Sequence, residues 1–240
     1  MTEVCGLANG RKRVFAALLA AVFLAVLMWM GRRYPLYTAG QDVKIGRERY
    51  CVVVDAGHGG EDPGKIGCNG EKEKDINLQI AKLVAKYLEA EDVRVVMTRT
   101  EDEVLAQEGR HKKVQDMKRR VEIIEQTAPG AAVSIHQNSY PEEYVHGAQV
   151  FYYTGSASGE KLAEQIQKQL IEKADPENRR KIKANDSYYL LKKTSVPIVI
   201  VECGFLSNQT EAAKLCDAEY QERIAWAVAV GILQYLNKAD

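Results

Sequence analysis

Apolar residues along the chain fall into short continuous runs and longer periodic stretches, in alternation. Cys51 to Val54 is a continuous run that reads as a buried strand, and it empties into the glycine-rich turn Asp55-Ala-Gly-His-Gly-Gly. From Asp75 to Glu91 the positions Ile76, Ile80, Leu83, Val84, Tyr87 and Leu88 recur at helical spacing and predict one buried stripe. Val93 to Thr98 predicts a second strand, Gln115 to Thr127 a helix stopped by Pro129-Gly130, and Ala132 to His136 a third strand. Gln149 to Tyr153 is a fourth. A helix carrying Leu162, Ile166 and Leu170 on one face follows, then the β-branched run Val196 to Val201, then a terminal helix with Ile224, Val228 and Ile232. Parallel strands need helical crossovers, so this alternation predicts an α/β fold: a single mostly parallel β-sheet flanked by helices on both faces.

One segment stands apart. Val14 to Met30 contains no charge, Gly or Pro, and is bracketed by Arg11, Lys12 and Arg13 before it and Arg32 and Arg33 after it. It is long enough only for the lower limit of a membrane-spanning helix. Charges directly behind it, and the lack of a clear small-x-small cleavage site, favour an uncleaved signal anchor over a signal peptide. The expected organisation is therefore an N-terminal hydrophobic helix within 1–31, a polar linker over 32–48, and one catalytic domain over 49–240. Lysines plus arginines number 33 and aspartates plus glutamates 33, so no net field invites nucleic acid. Cys5, Cys51, Cys68, Cys203 and Cys216 are odd in number and lack CxxC spacing, which indicates neither a complete disulfide framework nor a cysteine zinc site.

In open α/β sheets, sites form beyond the carboxyl ends of the strands, so the residue after each apolar run is the one to inspect. His58 follows the first strand, His136 ends the third, Glu202 ends the last, and Glu73 lies where the first helix begins. Two imidazoles and a carboxylate (His58, Glu73, His136) suit one Zn²⁺ and leave a fourth position for water. Glu202 is then free to carry a proton between that water and a departing nitrogen. A carboxylate after Pro-Ile-Val-Ile-Val needs compensation for burial, and a salt bridge to Arg99 is the structural alternative.

The glycine turn fits nucleotide cradles poorly. Gly59 to Lys65 follows the P-loop spacing as far as its lysine, but Ile66 replaces the magnesium-binding hydroxyl and Pro63 interrupts the loop. The dinucleotide pattern from Gly57 fails because Asp62 takes the third glycine position. Arg99, after the second strand, is placed to orient Glu202, Glu73 or a substrate carboxylate, and Asn138 lies at the mouth of the third strand. His111 and His146 lie in polar stretches and read as exposed or near-site residues. Glu101 to Lys113 reads as a solvated loop or one wall of a substrate groove.

With these pieces in place, the chain resembles the zinc N-acetylmuramoyl-L-alanine amidases of the Amidase_3 family over about Tyr50 to Leu236. The shared pieces are Val-Asp-Ala-Gly-His58-Gly-Gly, Glu73-Lys-Asp-Ile-Asn-Leu, Thr-Arg99-Thr, Ser-Ile-His136-Gln-Asn138 and Val-Glu202-Cys-Gly-Phe-Leu-Ser-Asn208. The resemblance implies zinc at His58, Glu73 and His136, Glu202 as the catalytic carboxylate, and cleavage between the lactyl group of muramic acid and L-alanine. Lys183-Ala-Asn-Asp-Ser-Tyr-Tyr-Leu-Leu-Lys-Lys193 is similar to the germination-specific, spore-cortex branch. That branch implies peptidoglycan as substrate, muramic δ-lactam formation through a separate deacetylase, and a place outside the cytoplasm, in the forespore intermembrane space. Gln137 and Cys203 depart from other branches. The absence of a wall-binding module points to an exported activating or targeting protein, or to the anchor, for placement.

Three rival readings share these residues. A zinc carboxypeptidase would release a terminal amino acid, not peptides with a free L-alanine amine. A non-catalytic peptidoglycan-binding protein would have little use for an ionisable Glu202. A thiol hydrolase built on Cys203 and His136 would resist chelators and fail on alkylation.

Overall fold

The computed structural model describes residues 50–106 and 112–238. The hydrophobic segment Val14 to Met30, the linker over 32–48, and His111 lie outside the described residues, and so do the expectations attached to them. Among the described residues no helix is long and apolar enough to cross a membrane.

Six strands form one sheet. In chain order they are β1 (Cys51–Ala56), β2 (Arg94–Met97), β3 (Ala131–Asn138), β4 (Gln149–Tyr153), β5 (Lys183–Asn185) and β6 (Ile198–Phe205), arranged β2-β1-β3-β6-β4-β5. The helices are α1 (Glu73–Glu89), α2 (Lys112–Thr127), α3 (Ala157–Gln169), α4 (Tyr189–Lys193), α5 (Gln209–Cys216) and α6 (Ala218–Lys238). β2, β1, β3 and β6 are parallel, whereas β4 is antiparallel to β6 and carries β5 alongside it in its own direction. The sheet is thus mixed, and the mostly parallel expectation holds for four of its strands. The reversal has a simple cause: no helix separates β3 from β4, so the chain turns and re-enters the sheet at the end it has just left.

The two faces are covered unequally. On one, α1, α3 and α6 close over Val52, Val54, Val133, Val199 and Val201, with Ile80, Leu162, Ile166, Val228 and Ile232 fully buried among them. These strands read as unbroken apolar runs because both their faces are covered. Gly231 of α6 lies so close to α3 that a Cβ there would sit 2.6 Å from the Ile166 Cα, which brings the two helices into near backbone contact. The other face has only α2 and the five-residue α4, whose Ile124, Leu190 and Leu191 pack on Val53, Ala132, Phe151, Ile198 and Ile200. Between α2 and α4 this thinner cover leaves a cleft that opens at the carboxyl ends of β1, β3 and β6.

Two boundaries matter for the site. β3 runs on to Asn138 and β6 to Phe205, so His136 and Glu202 lie within their strands and do not end them as the apolar runs predict. The ladder between the two strands continues past His136 through a register shift before Asn138 pairs with Phe205.

Candidate active site

The loop after β1 delivers His58 in a left-handed conformation, φ 62°. For a side chain with a Cβ this is a strained setting, which surrounding contacts must impose. Two buried arginines impose it. Arg120 of α2 donates to the carbonyls of Ala56 and His58, each at 2.7 Å, and pairs with Asp55. Arg99 donates to the carbonyls of Ala56 (2.9 Å), Gly57 (3.1 Å), Lys74 (2.8 Å) and Glu101 (3.0 Å). Both are 2 % exposed.

Asp55 is the anchor of this network. It accepts from Arg120, from the Thr98 hydroxyl at 2.7 Å and from the Ser134 hydroxyl. Burial alone would raise its carboxyl; the Arg120 guanidinium and the two hydroxyls carry it down to about 2.

Glu73, the first residue of α1, reaches between the two imidazoles. Its Oε1 lies 3.0 Å from Nδ1 of His136 and its Oε2 3.2 Å from Nε2 of His58. Backbone amides hold it from behind: Lys65 donates to Oε2 at 2.8 Å and Gln137 to Oε1 at 3.1 Å. Asn77, one turn further along α1, bridges Oε1 to the Gly57 carbonyl and takes a hydrogen bond from the Gln137 amide. Burial would raise the Glu73 carboxyl, yet the His136 and His58 imidazoles hold it far below the usual range. Burial would lower His58, but its contacts with Glu73 and with Asp62, at 2.9 Å from Nδ1, bring it above its ordinary value.

Glycines make the room. A Cβ on Gly57 would stand 2.2 Å from Cε1 of His136, and one on Gly64, where φ is +68°, 2.6 Å from the Glu73 carboxylate. One donor atom from each of His58, Glu73 and His136 lies within 4.8 Å of the others, a grouping able to hold one metal ion. Two neutral imidazoles and one carboxylate are the donors zinc favours at sites that keep a coordination position open.

Glu202 stands beside this group. It is the Cα partner of His136 across the β3–β6 ladder, and its Oε2 is buried without a hydrogen-bond partner. Burial first, and then the Glu73 charge, push its carboxyl up to about 7, against the attraction of His136. Its neighbour is the phenol of Tyr188, 3.5 Å from Oε1. Arg99 does not pair with it, since that guanidinium is turned to main-chain carbonyls, so the salt-bridge alternative for Glu202 fails. Cys203 points to the opposite face of the sheet, fully buried, and burial pushes its thiol up, which removes the thiol-hydrolase reading. Asn138 turns its side chain back onto the Ser139 amide, at 2.8 Å, and its carbonyl accepts from Leu206. His146 is exposed, and its carbonyl accepts from Arg180. The loop after Arg99 is tied down through Asp102, which pairs with Lys74 at 2.6 Å and accepts from the Gly60 amide.

The Amidase_3 family model, described as N-acetylmuramoyl-L-alanine amidase, matches residues 52–234. The chain belongs to the Amidase_3 family. This amidase is 37% identical over 191 residues to the germination-specific N-acetylmuramoyl-L-alanine amidase of Bacillus subtilis, covering 78% of this chain and 80% of the relative. Its fold is similar to that of the CwlD amidase from Clostridioides difficile, solved in complex with the GerS lipoprotein: TM-score 0.77, 39% identity, 79% of this chain and 99% of that one. AmiC2 of Nostoc punctiforme, also an N-acetylmuramoyl-L-alanine amidase, aligns with TM-score 0.70 at 38% identity, over 80% of this chain and 99% of that one.

Asp55, Arg120 and Tyr188 are the cleft residues that sequence reasoning missed. Asp55 carries a signal of the kind that singles out Glu202, a carboxylate closing a run of valines. Arg120 sits among Lys118 and Arg119 with nothing local to distinguish it.

Proposed function

We propose that this amidase is a zinc enzyme that hydrolyses the amide between the muramic acid lactyl group and L-alanine in spore-cortex peptidoglycan. The observation that carries the reading is the grouping of His58, Glu73 and His136 within 4.8 Å, next to a buried carboxylate with one oxygen unpartnered. A bound zinc ion would supply Lewis acidity toward the amide carbonyl and toward water.

The chain's own residues do the rest. Glu202 accepts a proton as the water oxygen adds to the lactyl carbonyl carbon, then gives it to the alanine nitrogen as the carbon–nitrogen bond breaks. The products are a lactyl carboxyl and a peptide with a free amine, so one water is consumed and no other reactant is needed. Arg99 and Arg120 keep the His58 loop fixed through its carbonyls, which spares the site reorganisation during the reaction. Asn138, two residues beyond His136 in β3, is the residue we assign to holding the substrate or steadying the ligand strand.

The cortex assignment rests on the germination-specific relative and on the segment Lys183 to Lys193. In that setting the product glycan passes to a separate deacetylase for δ-lactam formation. The enzyme acts outside the cytoplasm, in the forespore intermembrane space, held or delivered by the segment Val14 to Met30. An exported lipoprotein is the kind of partner expected to activate or target it, since the CwlD relative was solved with one.

The test is metal analysis with product analysis by mass spectrometry, on cortex-type peptidoglycan, for the purified full chain and its Glu202→Ala variant. The wild type should hold one zinc and release peptides beginning with L-alanine, and the variant should hold zinc and release none. Release of single terminal amino acids would make it a carboxypeptidase. Zinc binding without cleavage, even with an exported lipoprotein added, would make it a binding protein.

A further inference from the structure

Tyr188 is not part of the constellation just described, yet its phenol oxygen is 3.5 Å from Oε1 of Glu202. Two contacts hold it there, one through its backbone and one through its ring. Its backbone amide donates to the Asn185 side chain at 2.8 Å, as does that of Ser187, so the turn between β5 and α4 is folded around Asn185. Asn185 is fixed in turn as the last residue of β5, paired with Tyr153. The Tyr188 ring stands edge-on to Phe151, centroids 5.5 Å apart, and Phe151 is the strand partner of Ile200, two residues before Glu202. The ring therefore lies over the middle of the sheet and reaches along β6 to the carboxylate. It lines the same cleft as His58 and His136.

Glu202 consequently has two unlike oxygens. Oε1 faces a hydroxyl, and Oε2 is buried with no partner. A carboxylate that carries a proton with one oxygen works best when the other is held, because rotation about its last bond would otherwise exchange them.

We infer that Tyr188 is a positioning residue for Glu202: its phenol donates to Oε1 and leaves Oε2 as the oxygen that accepts and returns the proton. The segment Asn185-Asp-Ser-Tyr188 exists to aim that hydroxyl. The inference rests on the reading of Glu202 as the proton carrier. Burial and the Glu202 charge push the phenol up to about 12, so it remains a donor at every working pH. Phenylalanine at this position would keep the contact with Phe151 and remove only the donor.

The experiment uses the zinc-loaded full chain, with kcat, KM and bound zinc measured for wild type, Tyr188→Phe, Glu202→Asp and the double variant. Tyr188→Phe should lower kcat about tenfold, the effect of one hydrogen bond to a charged group, with KM and zinc content within twofold. In the Glu202→Asp background, whose shortened side chain cannot reach the phenol in the same way, removal of the hydroxyl should cost less than twofold. A kcat within twofold of wild type for Tyr188→Phe would overturn the inference, as would a loss confined to KM, or an equal loss in both backgrounds. Glu202→Asp with wild-type kcat would instead overturn the proton-carrier reading on which it rests.

Discussion

His136 and Glu202 are Cα partners in the parallel β3–β6 ladder, so an imidazole and a carboxylate leave the sheet side by side on the same face. The sheet itself sets their spacing. No loop closure is needed to bring Glu202, the proposed proton carrier, up to the candidate metal ligand, and β6, which presents it, is buried along its whole length. The arrangement has a cost, because a carboxylate 7 % exposed must lose its water in the fold.

That cost is measurable in the metal-free protein. Glu202 has its carboxyl raised from 4.5 to about 7 in the folded state, with burial as the main cause. A group whose folded pKa lies above its unfolded one gives stability that is fully present below the unfolded pKa and is lost as pH rises through the folded one. The metal-free protein should therefore lose roughly 3 kcal/mol through this group between about pH 4.5 and 7.5. Urea denaturation of wild type and Glu202→Gln across that range should give curves that diverge by this amount, with the variant flatter. Parallel curves would mean that the carboxyl titrates normally.

Asp55 behaves oppositely. Its folded pKa, about 2, lies below the ordinary 3.8, so it contributes stability above about pH 4 that disappears as pH falls through 2. Asp55→Asn should remove that acid limb and leave Arg120 with Asp116, 2.7 Å from its Nε, as its remaining carboxylate partner, so the fold should lose about 1 to 3 kcal/mol. Replacing both partners with apolar residues, Asp55→Leu with Arg120→Met, orphans the buried Thr98 and Ser134 hydroxyls and leaves the Ala56 and His58 carbonyls without this donor. The double variant should therefore melt below wild type and bind zinc more weakly.

The room left at Gly57 gives a third prediction. A methyl group there would meet the His136 ring at 2.2 Å, so the ring has to give way. His136 must then turn out of line with Glu73. Gly57→Ala should weaken zinc at least tenfold in a chelator competition assay. Gly70→Ala, which strains a left-handed backbone (φ +91°) but meets nothing within 4 Å, should leave zinc affinity unchanged. Equal zinc affinity for Gly57→Ala and wild type would mean that the close approach of Gly57 to the His136 ring does not hold the ligand set.

Much of this arrangement can be read from the chain, and the reasons for what cannot are local. His58, His136 and Glu202 lie at or just beyond apolar runs whose burial is evident, so their polarity is conspicuous. Glu73 is legible as the start of a periodic stretch. Arg120 is invisible because the helix presents Lys118, Arg119 and Arg120 in succession, and only the register of α2 on the sheet decides which one is buried. Tyr188 is hidden differently: the strand before it is three residues long and the helix after it five, too short for any periodicity to register. The reversal of β4 is carried by the absence of a helical pattern between Asn138 and Gln149, a negative signal that continuous strand counting overlooks.

Asp62 provides the last prediction, because it acts on the metal group without belonging to it. Its carboxylate lies 2.9 Å from Nδ1 of His58, leaving Nε2 directed at Glu73, and it also accepts from the Gly64 amide and pairs with Lys113. A carboxylate on the far nitrogen of a ligating histidine fixes both tautomer and ring orientation, and its loss commonly weakens metal about 10- to 100-fold. The Asp62 side chain is 34 % exposed, so its removal should change stability by less than about 1 kcal/mol. Asp62→Ala should accordingly melt like wild type yet release zinc to a competing chelator about 10- to 100-fold more readily. Activity lost to chelation should return with added zinc, at a higher concentration for the variant. If both proteins surrender zinc at the same chelator concentration, the orientation of His58 comes instead from its strained backbone, held by Arg120 and Arg99.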